Sequence, residues 1–276
     1  MTDWMLQITI ILIGALAAAE FARALKQSSV LGELTIGIIL GSSVLAWLPE
    51  SHLLEVLAEI GVIFMIFMVG LETKSEHIKK VGNEAVLVAV LGVPFPFLGG
   101  YWIGTAYGFS VPTSLFLGTV MAATSVAITA WVFMDMGKVH SSVSQTILAA
   151  AVIDDTLSLL VLTVVLATTG TGGDASVGWA VTKFVIFLFG IFPLFWWLVP
   201  KAIARLGQYG GDRTLLAFSC GLLFLFSYLA HAAGLAAIVG VFLIGMILAE
   251  TKDHIEIIEQ TRPIYVFLAP VFFVVT

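Results

Sequence analysis

Two adjacent aspartates, Asp154 and Asp155, lie in the middle of an apolar stretch, "AAAVIDDTLSLLVLTVV" at residues 149–165. Neighbouring side chains on a helix point about 100° apart, so one carboxylate could face a water-filled cavity while the other faces a buried cation or donor. Burial and the neighbouring charge both disfavour the ionised form, so such an acid can exchange a proton for a cation. The alternative is that both acids are neutral and serve only helix packing.

A second polar group precedes this pair in "AATSVAIT" (residues 122–129), where Thr124, Ser125 and Thr129 lie among small residues. Hydroxyls can replace backbone partners where a helix unwinds, and the freed carbonyls suit a weakly bound monovalent cation. Equally, Ser and Thr can bond back to their own helix or pack small interfaces. Both interpretations stay open from the residues alone.

The composition decides the environment of these groups. Of the 276 residues 60% are hydrophobic and 11% charged, and the mean hydropathy is +1.09, whereas soluble domains carry about 25% charged residues. The sequence therefore predicts an all-α, multi-pass membrane protein with the lipid bilayer as its main surroundings. The single cysteine, Cys220, excludes an internal disulfide and a multi-cysteine metal site. We expect no nucleic-acid partner and no cofactor.

Apolar length and Gly, Pro and charge punctuation predict one transmembrane domain of about ten spans. The predicted spans are 4–24, 30–48, 53–71, 84–106, 112–134, 142–168, 178–200, 213–231, 234–250 and a partial one at 263–276. A charge at a bilayer centre costs about 2.5 to 3.5 kcal/mol, so the two acids near the middle of the sixth span are functional candidates.

Basic residues test the span count. Eleven of the twelve Lys and Arg residues fall on one side, the exception being Lys183. They follow the odd-numbered spans: Arg23, Lys26, Lys74, Lys79, Lys80, Lys138, Lys201, Arg205, Arg213, Lys252 and Arg262. The positive-inside tendency makes this side the cytoplasm, which predicts a plasma (inner) membrane protein with its N-terminus outside.

A short similarity between two segments of the chain, called the echo below, suggests an inverted repeat. "IGIIL" at residues 36–40 and "IGMIL" at 244–248 lie in spans of opposite direction, as in many transporters, although chance similarity between apolar helices is the alternative. If the echo is real, spans three to six need counterparts in spans ten to thirteen. The chain stops partway through the tenth, so we expect a fold truncated within the second repeat.

Longer motifs resemble the bacterial monovalent cation:proton antiporters of the NapA/Kef type. They are "GELTIGIILG", "EIGVIFMIFMVGLETK", "ATSVAITAWVFMDMGKV", "AAAVIDDTLSLLVL", "GLAAIVGVFLIGMILAE" and "FLAPVFFV". The resemblance runs over nearly the whole chain, and the Asp-Asp pair is its most specific element. One departure is "GSS" at residues 41–43, where the family has Gly-Pro after "GIILG".

The resemblance implies an inverted-repeat antiporter fold with a dimerisation domain and a mobile ion-carrying core, here helices within 84–168. Two core helices break and cross at the midplane. By position, Asp155 would carry Na⁺ or the proton in turn, with Thr124 and Ser125 beside the ion. Asp154 would pair with a midplane lysine, which in relatives lies beyond residue 276. A homodimer through the first span is also expected.

The leading functional prediction is secondary active exchange of Na⁺, or another monovalent cation, for H⁺, with ion and proton competing for Asp155. A K⁺/H⁺ efflux system is one alternative, although the Asp-Asp form is more similar to the electrogenic Na⁺/H⁺ branch. A truncated, non-transporting membrane paralogue that associates with a full-length partner is another. An aspartate protease dyad needs facing carboxylates, which adjacent residues on one helix do not provide, so we do not expect an enzyme.

Overall fold

The computed structural model describes residues 3–41, 44–48, 51–169, 177–209 and 212–275. In those ranges the chain is helical, without β-strands, which confirms the all-α prediction. The helices are α1 (Asp3–Ala24), α2 (Ser29–Leu40), α3 (His52–Glu72), α4 (Ser75–Gly92), α5 (Pro94–Ala106), α6 (Val111–Ala122), α7 (Val126–Asp135), α8 (Ser142–Thr169), α9 (Val177–Ile186), α10 (Phe192–Tyr209), α11 (Asp212–Ala232), α12 (Ala237–Ala249) and α13 (His254–Val275). A π-helical turn, Phe187–Ile191, joins α9 to α10.

Eight segments of the described chain are long and apolar enough to cross a bilayer. Two shorter apolar helices, α2 and α12, lie at the second and ninth predicted spans. The molecule is thus a multi-pass membrane protein. We call the side with Arg23, Lys138 and Lys252 at its helix connections the basic face, and the other side the opposite face.

The second predicted span, 30–48, is wrong as a continuous helix, because α2 ends at Leu40. The chain then turns back on the helix end, and the N–H groups of Trp47 and Leu48 both donate to the Leu40 carbonyl. Hydropathy detects burial in an apolar medium rather than helical backbone, so it extended the span through this turn. Residues 42–43 and 276, which belong to predicted spans, lie outside the described residues.

The last predicted span, from 263, begins too late, because α13 starts at His254 and continues through Pro263. Its first turns carry Glu256 and Arg262, which hydropathy excludes although they are helical. A proline inside a helix can kink it without ending it. The helix is therefore longer than its apolar part.

The hairpins α1–α2 and α11–α12 are built alike. Gly32 of α2 approaches the Ala18 carbonyl of α1, and Gly240 of α12 approaches the Phe226 carbonyl of α11. Both residues of the first pair lie 208 positions before those of the second. A side chain at either glycine would meet the backbone of the neighbouring helix, so these contacts set how closely each hairpin closes.

The same relation extends to the third helix of each repeat. Gly37 of α2 lies against Val274 of α13, whereas Gly245 of α12 lies against Phe67 of α3. Each second helix thus packs on the third helix of the other repeat, as an inverted repeat requires. Helices α3 and α13 cross each other near Gly61. The echo between "IGIIL" and "IGMIL" is therefore part of a repeated three-helix structure.

Helices α4 to α8 form a second group, which positions the candidate site. Alanines on α4 and α8 let these two helices pack tightly: Ala85, Ala89, Ala149 and Ala150 are all buried. Helices α5 and α6 make a close hairpin in which Gly100 faces Gly118. Helix α8 also contacts α6 and α7. The middle of α8 is consequently held beside the junction of α6 and α7.

Candidate ion-binding site

The junction between α6 and α7 is a helix break at Ala123, Thr124 and Ser125. The backbone is extended at Ala123 and Ser125. The Ser125 hydroxyl accepts from the Ile128 N–H at 3.4 Å and caps α7, and the Thr129 hydroxyl donates to the Ser125 carbonyl at 3.0 Å. The carboxyl end of α6 and the amino end of α7 therefore meet here with opposite partial charges.

Helix α8 places the two aspartates on different sides of this break. Asp154 is buried, with 7% of its surface exposed, and lies next to the Thr124 side chain. Asp155 is half-buried and lines a cavity of about 580 Å³. The two acids thus have separate environments, as their helical spacing predicts.

Three segments surround the cavity at Asp155. They are the second half of α6, the middle of α8 and the α11–α12 turn, with the lining residues Phe116, Thr119, Val120, Ala123, Asp155, Ser158, Leu159, Leu162, His231, Gly234, Leu235 and Ala236. On α8 the lining runs from Asp155 towards the helix end on the opposite face. The cavity therefore extends from the helix break towards that face.

Ser158 is the polar neighbour of Asp155 in the cavity. Its side chain is 6% exposed, and its hydroxyl oxygen has no hydrogen-bond partner. A buried polar atom without a partner is costly, so an ion or water that reached this hydroxyl would satisfy it. Because Ser158 follows Asp155 by three residues, both side chains lie on one face of α8. Together they offer the oxygen ligands that a hard monovalent cation needs.

No protein cation pairs with either aspartate within the described ranges. The ion pairs there join Arg23 to Glu20 and His52 to Glu55, both outside the site. The described residues also contain no group of three or more His, Cys, Asp or Glu placed to hold a metal ion. An ionised Asp155 therefore needs a proton or a cation from the cavity to balance its charge.

A separate cavity of about 390 Å³ lies on the basic face. Its lining comprises Glu72, Trp131, Met134, Asp135, Gly137, Val139, His140, Arg262 and Tyr265. It shares no lining residue with the cavity at Asp155. Among the described residues, Asp155 therefore lines the cavity that runs towards the opposite face and not the one on the basic face.

The other residues singled out in the sequence lie around the break, outside the Asp155 cavity. Thr124 contacts Asp154, while Ser125 and Thr129 stabilise the start of α7. The sequence analysis missed Ser158 and Thr119, and the i, i+3 spacing after Asp155 was the available signal for Ser158. His231 reaches the cavity from a distant turn, and no local pattern indicates this.

The family model and the relatives that match this chain all describe cation:proton antiporters or exchangers. The family model described as "Sodium/hydrogen exchanger, transmembrane" matches residues 8–276. The probable Na⁺/H⁺ antiporter GerT of Bacillus cereus is 36% identical over 97% of the chain and 72% of its own length. The Na⁺/H⁺–K⁺ antiporter GerN of the same organism is 34% identical over 99% of the chain and 70% of its own length.

A solved structure supports the fold independently. The sodium proton antiporter MjNhaP1 of Methanocaldococcus jannaschii, determined at pH 8, matches with a TM-score of 0.71. The match covers 99% of the chain and 70% of that protein, at 19% sequence identity. At this identity the likeness concerns the fold alone, and that fold is α-helical and of the antiporter type.

Proposed function

Because the chain belongs to the sodium/hydrogen exchanger family, a family of transporters, we propose that it exchanges Na⁺ for H⁺ across the membrane. Ion and proton compete for the Asp155 carboxylate. The observation that carries this proposal is the position of Asp155, which lines a cavity on the side of the opposite face and forms no ion pair with another described residue. The names of the relatives, Na⁺/H⁺ antiporters, agree with it.

In the proposed cycle, Asp155 is neutralised either by a proton or by a cation, and never by both. Na⁺ arriving through the cavity sheds part of its water and gains the Asp155 carboxylate and the Ser158 hydroxyl in exchange. Asp154 and Thr124 hold the unwound segment in place beside it. Since a bare charge at the bilayer centre is costly, the site crosses the membrane only when loaded.

The orientation follows from charge. We place the basic face in the cytoplasm and the N-terminus outside, in the plasma (inner) membrane, by the positive-inside tendency. Helix α1 exposes apolar side chains, among them Leu6, Ile13, Leu16 and Phe21. Such a face suits lipid or a second copy of α1, and this supports a homodimer through the first helix.

The decisive experiment measures exchange by the purified protein in proteoliposomes, using a pH-sensitive dye and Na⁺, Li⁺ or K⁺ pulses. Asp155→Asn is expected to abolish exchange while the protein still inserts. Thr146→Val is the matched control, because Thr146 lies on the same helix, is half-buried, and its hydroxyl donates to the Ser142 carbonyl rather than to a group of the site. Exchange retained in Asp155→Asn would refute the role of Asp155.

The cation series addresses the remaining alternatives. GerN is named as a Na⁺/H⁺–K⁺ antiporter, so a response to K⁺ equal to that to Na⁺ would extend the substrate to potassium. A wild-type protein that inserts correctly but gives no flux with any cation would contradict the proposal. It would favour instead a non-transporting chain that acts with a partner.

A further inference from the structure

The two repeats present equivalent turns on opposite faces of the membrane. The α1–α2 turn lies on the basic face, and the α11–α12 turn lies on the opposite face. Lys26 and Gly234, again 208 positions apart, have left-handed backbone angles of φ 59° and φ 81° at corresponding places. The two turns therefore share a backbone shape but meet different surroundings.

On the opposite face the turn lines open space. Gly234, Leu235 and Ala236 form one wall of the cavity that contains Asp155. Across this cavity lie α6 and α8. The gap between turn and helices is the route from Asp155 to the opposite face.

On the basic face the equivalent turn is attached to the helices that carry the site. Asp135, the last residue of α7, accepts two hydrogen bonds through Oδ2: from the Ser28 hydroxyl at 3.0 Å and from the Ser29 N–H at 3.0 Å. Ser28 is the N-cap residue of α2, so the carboxylate lies at the positive end of that helix. Ser29 is buried, with 1% of its surface exposed. The contact therefore holds the start of α2 against the end of α7.

This contact can also be released. Asp135 itself is exposed and borders the basic-face cavity of about 390 Å³, so water can take over both hydrogen bonds. One turn further along α2 lies Glu33, a buried acid with one unpartnered carboxylate oxygen, on which the charges of Asp135 and of Arg23 on α1 both act. When Glu33 is ionised, its charge opposes that of Asp135 and weakens the attachment. The bond is therefore suited to a state that forms and breaks.

We propose that Asp135 is a positioning residue for exchange: by holding α2 against the end of α7, it closes the basic-face route to Asp155 while the other route stands open. Release of Asp135 then accompanies the opposite state, in which Asp155 is reached from the basic face. This proposal rests on the proposed function of Asp155. It concerns the face of the membrane from which Asp155 is accessible, rather than the ion that occupies the site.

The test reads accessibility directly and needs no transport. In a Cys220→Ala background, Ala123→Cys places a reporter thiol at the helix break, on the wall of the Asp155 cavity. A membrane-impermeant maleimide is applied to right-side-out and to everted vesicles, and the two labelling rates are compared. With Asp135 present, labelling is expected to be faster from the opposite face.

Asp135→Ala is expected to shift the ratio of the two labelling rates at least tenfold towards the basic face. Ser28→Ala, which removes one bond, gives a smaller shift in the same direction, and Asp135→Glu restores the original ratio in part. The matched control is Asp253→Ala, an acid in the turn before α13 on the same face.

An unchanged ratio in Asp135→Ala, with thermal stability like that of the parent, would overturn the proposal. So would a shift of equal size in Asp253→Ala. If Asp135→Ala does not fold, Ser28→Ala decides in its place, and an unchanged ratio there counts against the attachment. Because labelling does not depend on Asp155, the outcome stands even if exchange through that residue fails its own test.

Discussion

Substitution of Gly118 by alanine tests how the hairpin α5–α6 positions the site. A Cβ atom at Gly118 would lie 2.5 Å from the Phe97 carbonyl oxygen of α5, whereas ordinary contacts begin near 3.4 Å. The obstacle is backbone, so it cannot rotate away. Helix α6 must therefore move from α5 by about 0.9 Å, the difference between these two distances.

This displacement has two measurable consequences. Forcing a methyl group into a closely packed helix crossing lowers the free energy of unfolding by about 1 to 3 kcal/mol. The higher helix propensity of alanine than of glycine offsets about 0.5 to 1 kcal/mol of this loss. The middle of each range gives an expected net loss of roughly 1 kcal/mol in the free energy of unfolding. Because α6 carries Thr119 and Ala123 to the cavity, a shift near 1 Å is also expected to lower exchange, by up to roughly 100-fold if the site needs enzyme-like precision.

The assay compares thermal unfolding in detergent with Na⁺-driven proton flux in proteoliposomes. Gly99→Ala is the control, since a Cβ atom there meets nothing within 4 Å although the residue lies on the same hairpin. The control is expected to keep full exchange and equal or higher stability. Wild-type exchange and stability in Gly118→Ala would refute the reasoning, as would equal damage in both variants.

Two further predictions follow from the site and the repeat. If one proton competes with Na⁺ at Asp155, the apparent KM for Na⁺ rises about tenfold for each pH unit below the midpoint of that competition, while the maximal rate is unchanged. Flux measured at equal pH on both sides would show this, and a steeper dependence would require a second titrating group. Gly37→Ala and Gly245→Ala place a Cβ atom 2.6 and 2.7 Å from backbone oxygens of Val274 and Phe67, so each should lower the free energy of unfolding by a similar amount, roughly 1 kcal/mol after the helical preference of alanine is subtracted. Chemical or thermal unfolding against Gly221→Ala, where nothing lies within 4 Å, checks this, and clearly unequal losses would contradict the equivalence of the repeats.

The features of the molecule that leave a local mark in the sequence were predictable. Polar hydroxyls among small residues at 122–129 left open whether a helix unwinds there, the family resemblance implied that it does, and the structure has its break at Thr124 and Ser125. Apolar length indicated the membrane helices, because burial in lipid demands it. The family resemblance, confirmed by the match over residues 8–276, supplied the antiporter fold.

Features that depend on distant contacts were not predictable. Asp135 and Ser28 are 107 residues apart, and nothing in either neighbourhood marks them as partners. The end of α2 at Leu40 and the start of α13 at His254 were also missed. In both places the apolar segment and the helix have different ends, because a turn can be apolar and a helix can extend beyond the lipid.

The two equivalent turns have a consequence for biosynthesis. Arg23 and Lys26 in the first copy are replaced by His231 and Gly234 in the second, although the backbone is left-handed at Lys26 and Gly234 alike. During insertion, lysine and arginine next to a span favour retention on the cytoplasmic side, so two copies that thread in opposite directions need basic residues at this turn in one copy and none in the other. The translocation machinery, rather than the folded state, therefore limits how alike the two halves can remain. Two hairpins with the same backbone shape therefore need different numbers of Lys and Arg residues in their turns to insert with those turns on opposite faces of the membrane.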